Sequence, residues 1–358
     1  MPDLASADMR RSAVRRMILV AVSGIVLASC SSASENPVAQ EFDLQAHRGG
    51  LGLVTESTIE SFTNALELGV TNLELDTQIT EDGIAVVTHD RQVSAKKCVD
   101  TAPTVEGDLE FPYVGKYVNT LTFAQLQTLD CGFTQLAGYP EQRVVPGAKM
   151  PTLTAVIDLV KSLDATDVKL NIETKVEAGS PSETAPREQF VDVVLDTIDD
   201  AEFLDRVTIQ SFDWGSLQLI RDVEPSVPVV ALTNGDFLQV GQEGASPWLG
   251  GLDIDDFGGD PIAAISSFGA SAFSPVQGTP QSGRVSDPDF ELYVTRKMID
   301  DAHASGIRVI PWTVDDPETM HVLIDLGVDG LITDYPDRAR AVLSERGMAL
   351  PQPVTSGS

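Results

Sequence analysis

The sequence is poor in basic residues, and it lacks the repeated long hydrophobic runs of a polytopic membrane protein. It contains 24 Lys and Arg against 54 Asp and Glu in 358 residues, a formal net charge of -30. Docking on a phosphate backbone requires clustered basic residues, so we expect no nucleic-acid partner. Only 6% of the residues are aromatic, but 42% are hydrophobic, which is normal for a globular protein and excludes disorder over the whole chain.

The N-terminal segment has the pattern of a targeting signal. An apolar run over residues 17–27 is too short to span a bilayer and follows four arginines, Arg10, Arg11, Arg15 and Arg16. Leu27-Ala28-Ser29-Cys30 resembles the bacterial lipobox, which implies cleavage before Cys30 and lipid attachment to its sulfur. We expect a signal peptide over 1–29, a flexible tether over 30–40 and an exported lipoprotein anchored outside the cytoplasm. An ordinary signal peptide or an uncleaved anchor is the alternative, and the export route, general or twin-arginine, is left open.

Cysteine is scarce, and its count agrees with export. With Cys30 assigned to lipid, Cys98 and Cys131 form an even pair in an oxidising compartment, for which we predict a disulfide. Closing a loop of about 30 residues would stabilise the fold by roughly 3 to 4 kcal/mol. Two buried free thiols are the alternative.

Over residues 41–348, short segments with the apolar or alternating pattern of strands alternate with segments that have a helical pattern. Eight segments are strand candidates: 42–47, 71–77, 168–174, 206–210, 227–232, 269–273, 307–312 and 329–333. Eight strands alternating with helices favour a (β/α)8 barrel. A doubly wound sheet is the alternative, but no Gly-rich dinucleotide loop supports it. The last residues, 349–358, are rich in Pro and Ser and are expected to form a loose tail.

Two connections are longer than the turns of a simple barrel. Residues 91–150, after the second strand, and residues 233–268 are both interpreted as insertions, the first one held by the disulfide. Ser57 and Glu60 have the spacing of a capping box, which predicts that the first helix begins there and ends at Gly69.

Polar residues alternate with apolar ones along the first three strands. One set comprises Asp43, Gln45 and His47, the next Asn72, Glu74 and Asp76, and the third Lys169, Asn171, Glu173 and Lys175. In a barrel the apolar face packs against the helices, so these polar side chains should point into the lumen. Those near the C-terminal strand ends should line the catalytic mouth.

Three of these side chains form a candidate metal site. Glu74 and Asp76 lie two residues apart on one strand, and Glu173 lies at the matching level of the next. Three carboxylates without cysteine predict a hard cation, Mg²⁺ or Ca²⁺. The alternative is a buried ion-pair network with Arg48 and Lys175.

Two histidines come from segments that flank this cluster. Two imidazoles beside a metal suit phosphoryl transfer, because one can accept a proton from the nucleophile while the other protonates the leaving oxygen. We assign these roles to His47 and His89 without deciding which is acid and which is base. His303 and His321 lie on predicted helices and are expected at the surface.

The motifs together resemble the glycerophosphodiester phosphodiesterase family over about residues 43–340. The matching segments are His47-Arg48-Gly49-Gly50, Thr55-Glu56-Ser57-Thr58, Ser61-Phe62, Glu74-Leu75-Asp76, Thr80-Glu81-Asp82-Gly83, Val87-Thr88-His89-Asp90, Asn171-Ile172-Glu173-Thr174-Lys175, Gln210-Ser211-Phe212, Pro311-Trp312-Thr313-Val314 and Asp329-Gly330-Leu331-Ile332-Thr333-Asp334-Tyr335-Pro336. The resemblance implies a TIM barrel of the phospholipase C-like phosphodiesterase type. It also implies metal-dependent hydrolysis of a glycerophosphodiester to sn-glycerol 3-phosphate and an alcohol.

The resemblance assigns roles beyond the metal and the histidines. Arg48 and Lys175 would hold the phosphate, and Phe212 and Trp312 would form apolar walls for the glycerol, with simple rim packing as the alternative. The chain departs from the family at Thr55-Glu56-Ser57-Thr58, where the family often has Pro-Glu-Asn-Thr.

Two rival functions share the same barrel. One is a lyase resembling sphingomyelinase D-type toxins or phosphatidylinositol-specific phospholipases C, which form cyclic phosphates. The other is a non-catalytic binding protein anchored at the surface. The sequence leaves open the alcohol, the choice between Ca²⁺ and Mg²⁺, the oligomeric state and activity on teichoic-acid-like polymers.

Overall fold

The fold is a parallel barrel, as the strand pattern predicts. A computed structural model describes residues 42–354, so the predicted signal peptide, tether and Cys30 lie outside the described residues. The strands are β1 Asp43–Ala46, β2 Asn72–Ile79, β3 Ala85–Val87, β4 Lys169–Thr174, β5 Val207–Ser211, β6 Val229–Thr233, β7 Ala272–Pro275, β8 Gly278–Thr279, β9 Glu291–Leu292, β10 Arg308–Val309 and β11 Gly330–Thr333. All eight predicted strands are present, with shifted ends. The described part of the chain contains no helix that is both long and apolar enough to cross a membrane.

The eight main strands close on themselves. Their order is β10, β7, β6, β5, β4, β2, β1, β11, and every neighbouring pair is parallel. The two ends of this order meet, because Asp329 N donates to Val309 O at 2.9 Å and Ile332 N donates to Pro311 O at 3.0 Å. A doubly wound open sheet is therefore excluded.

Helices surround the strands and bury the apolar face of the sheet. They are α1 Ile59–Leu68, α2 Phe123–Leu126, α3 Leu153–Ser162, α4 Arg187–Asp200, α5 Trp214–Val223, α6 Pro261–Ser267, α7 Arg296–Ala304, α8 Pro317–Leu326 and α9 Pro336–Glu345. Outward-facing side chains such as Leu73, Leu75 and Ile172 join one large core with these helices. The second predicted insertion, 233–268, contains α6 and three short 3-10 turns.

The lumen is divided into an apolar half and a polar half. Val230, Ala272, Ile310 and Ile332 form a small apolar cluster on β6, β7, β11 and the chain after β10. On the opposite strands, buried amides and carboxylates hydrogen-bond one another, for example Asn171 Nδ2 to Gln45 Oε1 at 2.8 Å. The polar half leads up to the predicted metal site.

The start of α1 differs from the prediction. Thr58, not Ser57, is the N-cap, and its side chain accepts from Ser61 N while Ser61 Oγ accepts from Thr58 N. Ser57 cannot serve because its φ of 55° lies in the left-handed region, whereas an N-cap residue is extended. The helix ends at Leu68, followed by Gly69 as predicted.

The first insertion, residues 91–150, builds a small core of its own beside β2 and β3. Its buried members with Val86 are Val93, Cys98, Tyr113, Val118, Leu121, Leu126, Leu129 and Met150. Cys98 and Cys131 are joined by a disulfide. At the other end of the chain, Val354 N donates to Leu66 O at 2.9 Å. The described part of the expected tail is therefore packed on the barrel.

Candidate active site

Three carboxylates converge inside the barrel near the C-terminal strand ends. Asp76 is in register with Glu173, and Glu74 lies two residues earlier on the same face of β2. One oxygen atom from each of the three residues lies within 4.8 Å of the others. All three side chains are buried, at 5% exposure or less. The alternation in the sequence predicts this arrangement.

Hydrogen bonds fix the orientation of the cluster. Glu74 Oε1 accepts from Gln210 Nε2 at 2.6 Å, and its Oε2 accepts from the backbone N of Arg48 at 3.0 Å. Glu173 Oε1 lies 2.9 Å from Lys175 Nζ. Asp76 Oδ2 lies 3.1 Å from Arg48 Nε but has no hydrogen bond of good geometry.

The surroundings shift the pKa values of the three carboxyl groups in different directions. Burial and the charge of Asp76 raise the pKa of Glu74 above its usual value, and burial with Asp76 also raises the pKa of Glu173, although Lys175 opposes this. Burial favours the neutral form of Asp76 as well, but Arg48 and Lys175 hold its pKa well below the usual range. If all three groups were ionised, the two nearby cations, Arg48 and Lys175, would leave one negative charge unbalanced.

Arg48 lies at the rim of this cluster in a strained turn. Its φ is 52°, and the following Gly49 has a φ of 81°. A Cβ at Gly49 would lie 2.5 Å from Ser61 Oγ and 2.9 Å from Phe62 N, so glycine lets α1 approach the turn. Arg48 Nη1 donates to Glu56 Oε2 at 2.8 Å. This contact gives Glu56, in the segment that departs from the family motif, a defined place in the site.

His47 is held by a carboxylate at the end of β11. Its Nδ1 lies 2.5 Å from Asp334 Oδ1, and Asp334 Oδ2 accepts from the Tyr139 hydroxyl at 2.9 Å. Asp334 is buried, at 2% exposure. The contact at Nδ1 leaves Nε2 as the ring nitrogen available to a ligand.

His89 is held in the same way on the other side of the cluster. Its Nδ1 lies 2.8 Å from Asp90 Oδ1. Lys97 Nζ lies 3.0 Å from Asp90 Oδ2 and 2.8 Å from Glu56 Oε1. Burial and the charges of Arg48 and Lys175 lower the pKa of His89 to about 4. Without further ligands, the neutral ring, which can accept a proton, is favoured at neutral pH.

A cavity of about 890 Å³ opens above these groups. Its lining includes His47, Arg48, Glu74, His89, Glu173, Lys175, Phe212 and Trp312, whereas the buried Asp76 is not part of the lining. Such a volume is typical of small-molecule sites. Phe212 and Trp312 meet edge to face with ring centroids 5.4 Å apart. The second insertion adds Phe237, which is stacked on Trp248 at 4.0 Å.

Comparison with known proteins agrees with this geometry. Residues 47–338 match the model of the glycerophosphoryl diester phosphodiesterase family. This chain belongs to that family. A glycerophosphodiester phosphodiesterase of Caldanaerobacter subterraneus is 28% identical over 292 residues, which cover 82% of this chain and 93% of the relative.

Solved structures show the same family likeness in three dimensions. A structure from Silicibacter pomeroyi, described as a candidate glycerophosphoryl diester phosphodiesterase, is 26% identical with a TM-score of 0.70, covering 87% of this chain and 96% of that one. A phosphodiesterase of Oleispira antarctica, solved with its product sn-glycerol-3-phosphate, is 18% identical with a TM-score of 0.59, covering 84% and 96%. The second likeness supports the barrel fold alone.

The structure brings together every site residue that the family resemblance indicates around the metal and the phosphate. His303 and His321 lie on α7 and α8, away from the cavity. Sequence reasoning missed the residues that hold the histidines and Glu74, namely Asp90, Asp334 and Gln210, and the two residues that contact those aspartates, Lys97 and Tyr139. The first three lie inside recognised motifs, and the position of Asp90 directly after His89 is a usable signal. Lys97 and Tyr139 lie in the first insertion, which has no periodic pattern.

Proposed function

We propose that this family member hydrolyses glycerophosphodiesters to sn-glycerol 3-phosphate and an alcohol, using one divalent cation and two histidines. The observation that supports it best is the placement of two carboxylate-held imidazoles, His47 and His89, in one cavity with the three-carboxylate cluster. Arg48 and Lys175 line the same cavity. The Caldanaerobacter relative, which is 28% identical and aligned over 93% of its own length, is named a glycerophosphodiester phosphodiesterase.

The residues fit a hard cation. Glu74, Asp76 and Glu173 would hold it, because they offer only carboxylate oxygens and those oxygens lie close together. Asp76 Oδ2 is buried without a hydrogen bond, which leaves a ligand atom available. Arg48 is shared with Glu56, so the ion pairs of the alternative network exist but do not neutralise the cluster. A bound Mg²⁺ or Ca²⁺ would supply Lewis-acid stabilisation of charge on the phosphoryl oxygens.

Local charge decides whether an anionic diester binds to so acidic a chain. Arg48 and Lys175 both line the cavity. At an effective dielectric near 20, two unit charges at 4 Å interact by about 4 kcal/mol. Surface carboxylates farther than roughly 10 Å are screened by salt. The two cations would therefore hold the phosphate despite a net charge of -30.

The imidazoles account for the proton transfers. One ring accepts a proton from the water that attacks phosphorus, and the other donates a proton to the alcohol oxygen as the bond from phosphorus to that oxygen breaks. Asp334 and Asp90 fix the tautomer of each ring through Nδ1. The edge-to-face pair Phe212 and Trp312 would cover the apolar face of the glycerol.

One assay tests the activity, the metal and the alcohol together. Glycerophosphocholine, glycerophosphoethanolamine and glycerophosphoglycerol are incubated with purified protein and either Mg²⁺ or Ca²⁺, and the products are followed by phosphorus NMR. We expect glycerol 3-phosphate. A persistent cyclic ester would instead indicate the lyase, and binding without turnover under any condition would indicate a non-catalytic binding protein.

Variants of the histidines test the assigned residues. We expect His47→Ala and His89→Ala each to lower kcat by about 10²–10⁴-fold, as for the loss of an acid/base group. Far-UV circular dichroism should stay unchanged. His303→Ala, on the outer helix α7, is the matched control and should retain activity. Wild-type turnover in both cavity variants would contradict catalysis by this pair.

We also propose that lipid on Cys30 anchors the protein outside the cytoplasm. The support is the sequence pattern at residues 17–30. Expression of the full chain in a bacterial host with labelled palmitate should place label and protein in the detergent phase. Cys30→Ala should remove both. Wild-type protein without label in the aqueous phase would contradict the anchor.

A further inference from the structure

We propose that the first insertion, residues 91–150, completes the acid/base machinery by supplying Lys97 and Tyr139 as positioning residues. Each one holds the carboxylate that orients one histidine. Neither side chain contacts a histidine or the carboxylate cluster directly. The inference deepens the proposed function and rests on it, because it assigns a role in the proposed proton transfers to a segment outside the barrel strands.

The contact with the His89 side is a double bridge. Lys97 Nζ lies within 3.0 Å of carboxylate oxygens from both Asp90 and Glu56. The second oxygen of Asp90 faces His89 Nδ1, and the second oxygen of Glu56 accepts from Arg48. One ammonium therefore links the partner of the imidazole to the partner of the phosphate-binding guanidinium. Removing it would leave two carboxylates facing each other without their shared cation.

The contact with the His47 side is a single hydroxyl. Tyr139 donates to Asp334 Oδ2, while Asp334 Oδ1 faces His47 Nδ1. The Tyr139 ring also stacks on Tyr335, with centroids 6.4 Å apart. The hydroxyl thus satisfies the carboxylate oxygen that the histidine does not use, which stops Asp334 from rotating away from His47.

The insertion is fastened next to both contacts. Lys97 directly precedes Cys98, which is bonded to Cys131, and Val99 N donates to Asp130 O at 2.9 Å. Near Tyr139, Arg143 N donates to Leu53 O at 2.8 Å, so the insertion is tied to the loop before α1. The two positioning side chains are themselves partly buried and lie close in sequence to these anchored points.

The main experiment separates kcat from KM in three variants. Tyr139→Phe keeps the stacked ring and removes only the hydroxyl, and Lys97→Met keeps the length and removes only the charge. We expect each to lower kcat about tenfold, the size typical of residues that hold a ligand's partner, with KM for glycerophosphocholine changed less than about twofold. Lys97→Arg should restore most of kcat, because a guanidinium can also bridge two carboxylates.

A matched control and a double-mutant cycle test the route of the effect. Lys116→Met, in the same insertion but paired with exposed Glu110, should keep wild-type kcat. Because Tyr139 acts through Asp334, adding Tyr139→Phe to Asp334→Asn should cost much less than the tenfold seen in the wild-type background. Lys97→Met in an Asp90→Asn background should behave likewise.

The outcomes distinguish this inference from the proposed function. Wild-type protein without turnover of any glycerophosphodiester would remove the proposed function itself. An active wild type with unchanged kcat in Lys97→Met and Tyr139→Phe would overturn the inference alone. Losses of kcat that are fully additive in both double-mutant cycles would also overturn it. An equal loss of kcat in Lys116→Met would do the same, because it would show a general effect of disturbing the insertion.

Discussion

The barrel strands and the first insertion contribute to one cavity by different physical means. The strands place Glu74, Asp76 and Glu173 by alternation, because parallel register brings side chains of the same phase to one level. The insertion has little regular structure and places Lys97 and Tyr139 through its own core, a disulfide and contacts to neighbouring loops.

This difference separates two parts of the proposed chemistry. Side chains on strands are as rigid as the sheet, which suits ligands that must hold a cation at fixed distances. Side chains on an inserted segment can be lost without opening the barrel. Experiments should therefore be able to remove the residues placed by the strands and the residues placed by the insertion separately, and to measure the effect of each on activity.

Removing the proposed cation should have the largest effect, and it should affect only the part of the site that the barrel strands place. Chelation with EDTA should abolish hydrolysis, and added Mg²⁺ or Ca²⁺ should restore it, because Arg48 and Lys175 alone cannot provide the missing positive charge. Far-UV circular dichroism should stay largely intact, since the same two cations remain near the carboxylates. Glu173→Gln should reproduce the loss, by roughly 10³-fold. Full activity with metal removal verified by elemental analysis would contradict the metal site.

The sequence predicts the strand side far better than the insertion side. Alternation and the family motifs identify the eight strands, the carboxylates and both histidines, because these depend on local periodicity and recognised spacing. The predicted start of α1 is wrong by one residue, since the left-handed φ of Ser57 belongs to the turn at Arg48 and does not follow from the propensity of serine. Lys97 and Tyr139 could not be assigned, because nothing local reveals which distant carboxylate a loop residue reaches.

Opening the disulfide should give the next largest effect, on the insertion side alone. Replacing both Cys98 and Cys131 with Ser should destabilise the insertion by about 3–4 kcal/mol. Because Lys97 precedes Cys98, kcat should fall about as far as in Lys97→Met. Limited proteolysis with mass spectrometry should locate the first cleavages within 91–150.

The proposed metal site supplies the control for that variant. Calorimetry should show unchanged cation binding, because the proposed ligands are on β2 and β4. If the insertion of the Cys98 and Cys131 double variant resisted protease as well as the wild type and kcat did not change, the hydrophobic core of the insertion alone would be holding Lys97. Weakened cation binding would show that the two sides cannot be separated.

A smaller effect is expected from the second insertion, which contributes aromatic side chains and no charged side chain to the cavity lining. Trp248→Ala removes the ring stacked on Phe237 and should raise KM for glycerophosphocholine about three- to tenfold. The value of kcat should change little, because neither histidine contacts this pair. Phe237→Leu, which keeps an apolar side chain, should have a weaker effect. A fall in kcat with constant KM would show that the second insertion, like the first, positions catalytic groups and does not only bind substrate.

The smallest expected effect concerns the departure from the family motif beside Glu56. Ser57 holds a φ of 55°, a conformation in which Asn is enriched, so the family's Asn at this position has a backbone reason. Ser57→Asn should therefore raise the free energy of unfolding by about 0.5 kcal/mol, measured by urea denaturation, without changing kcat. Ser57→Val should lower it, because a branched side chain is strained at positive φ. If Ser57→Asn instead lowered kcat as Lys97→Met does, the position of Glu56 would depend on the serine side chain itself. The residues placed by the strands would then not be independent of the turn that carries Arg48.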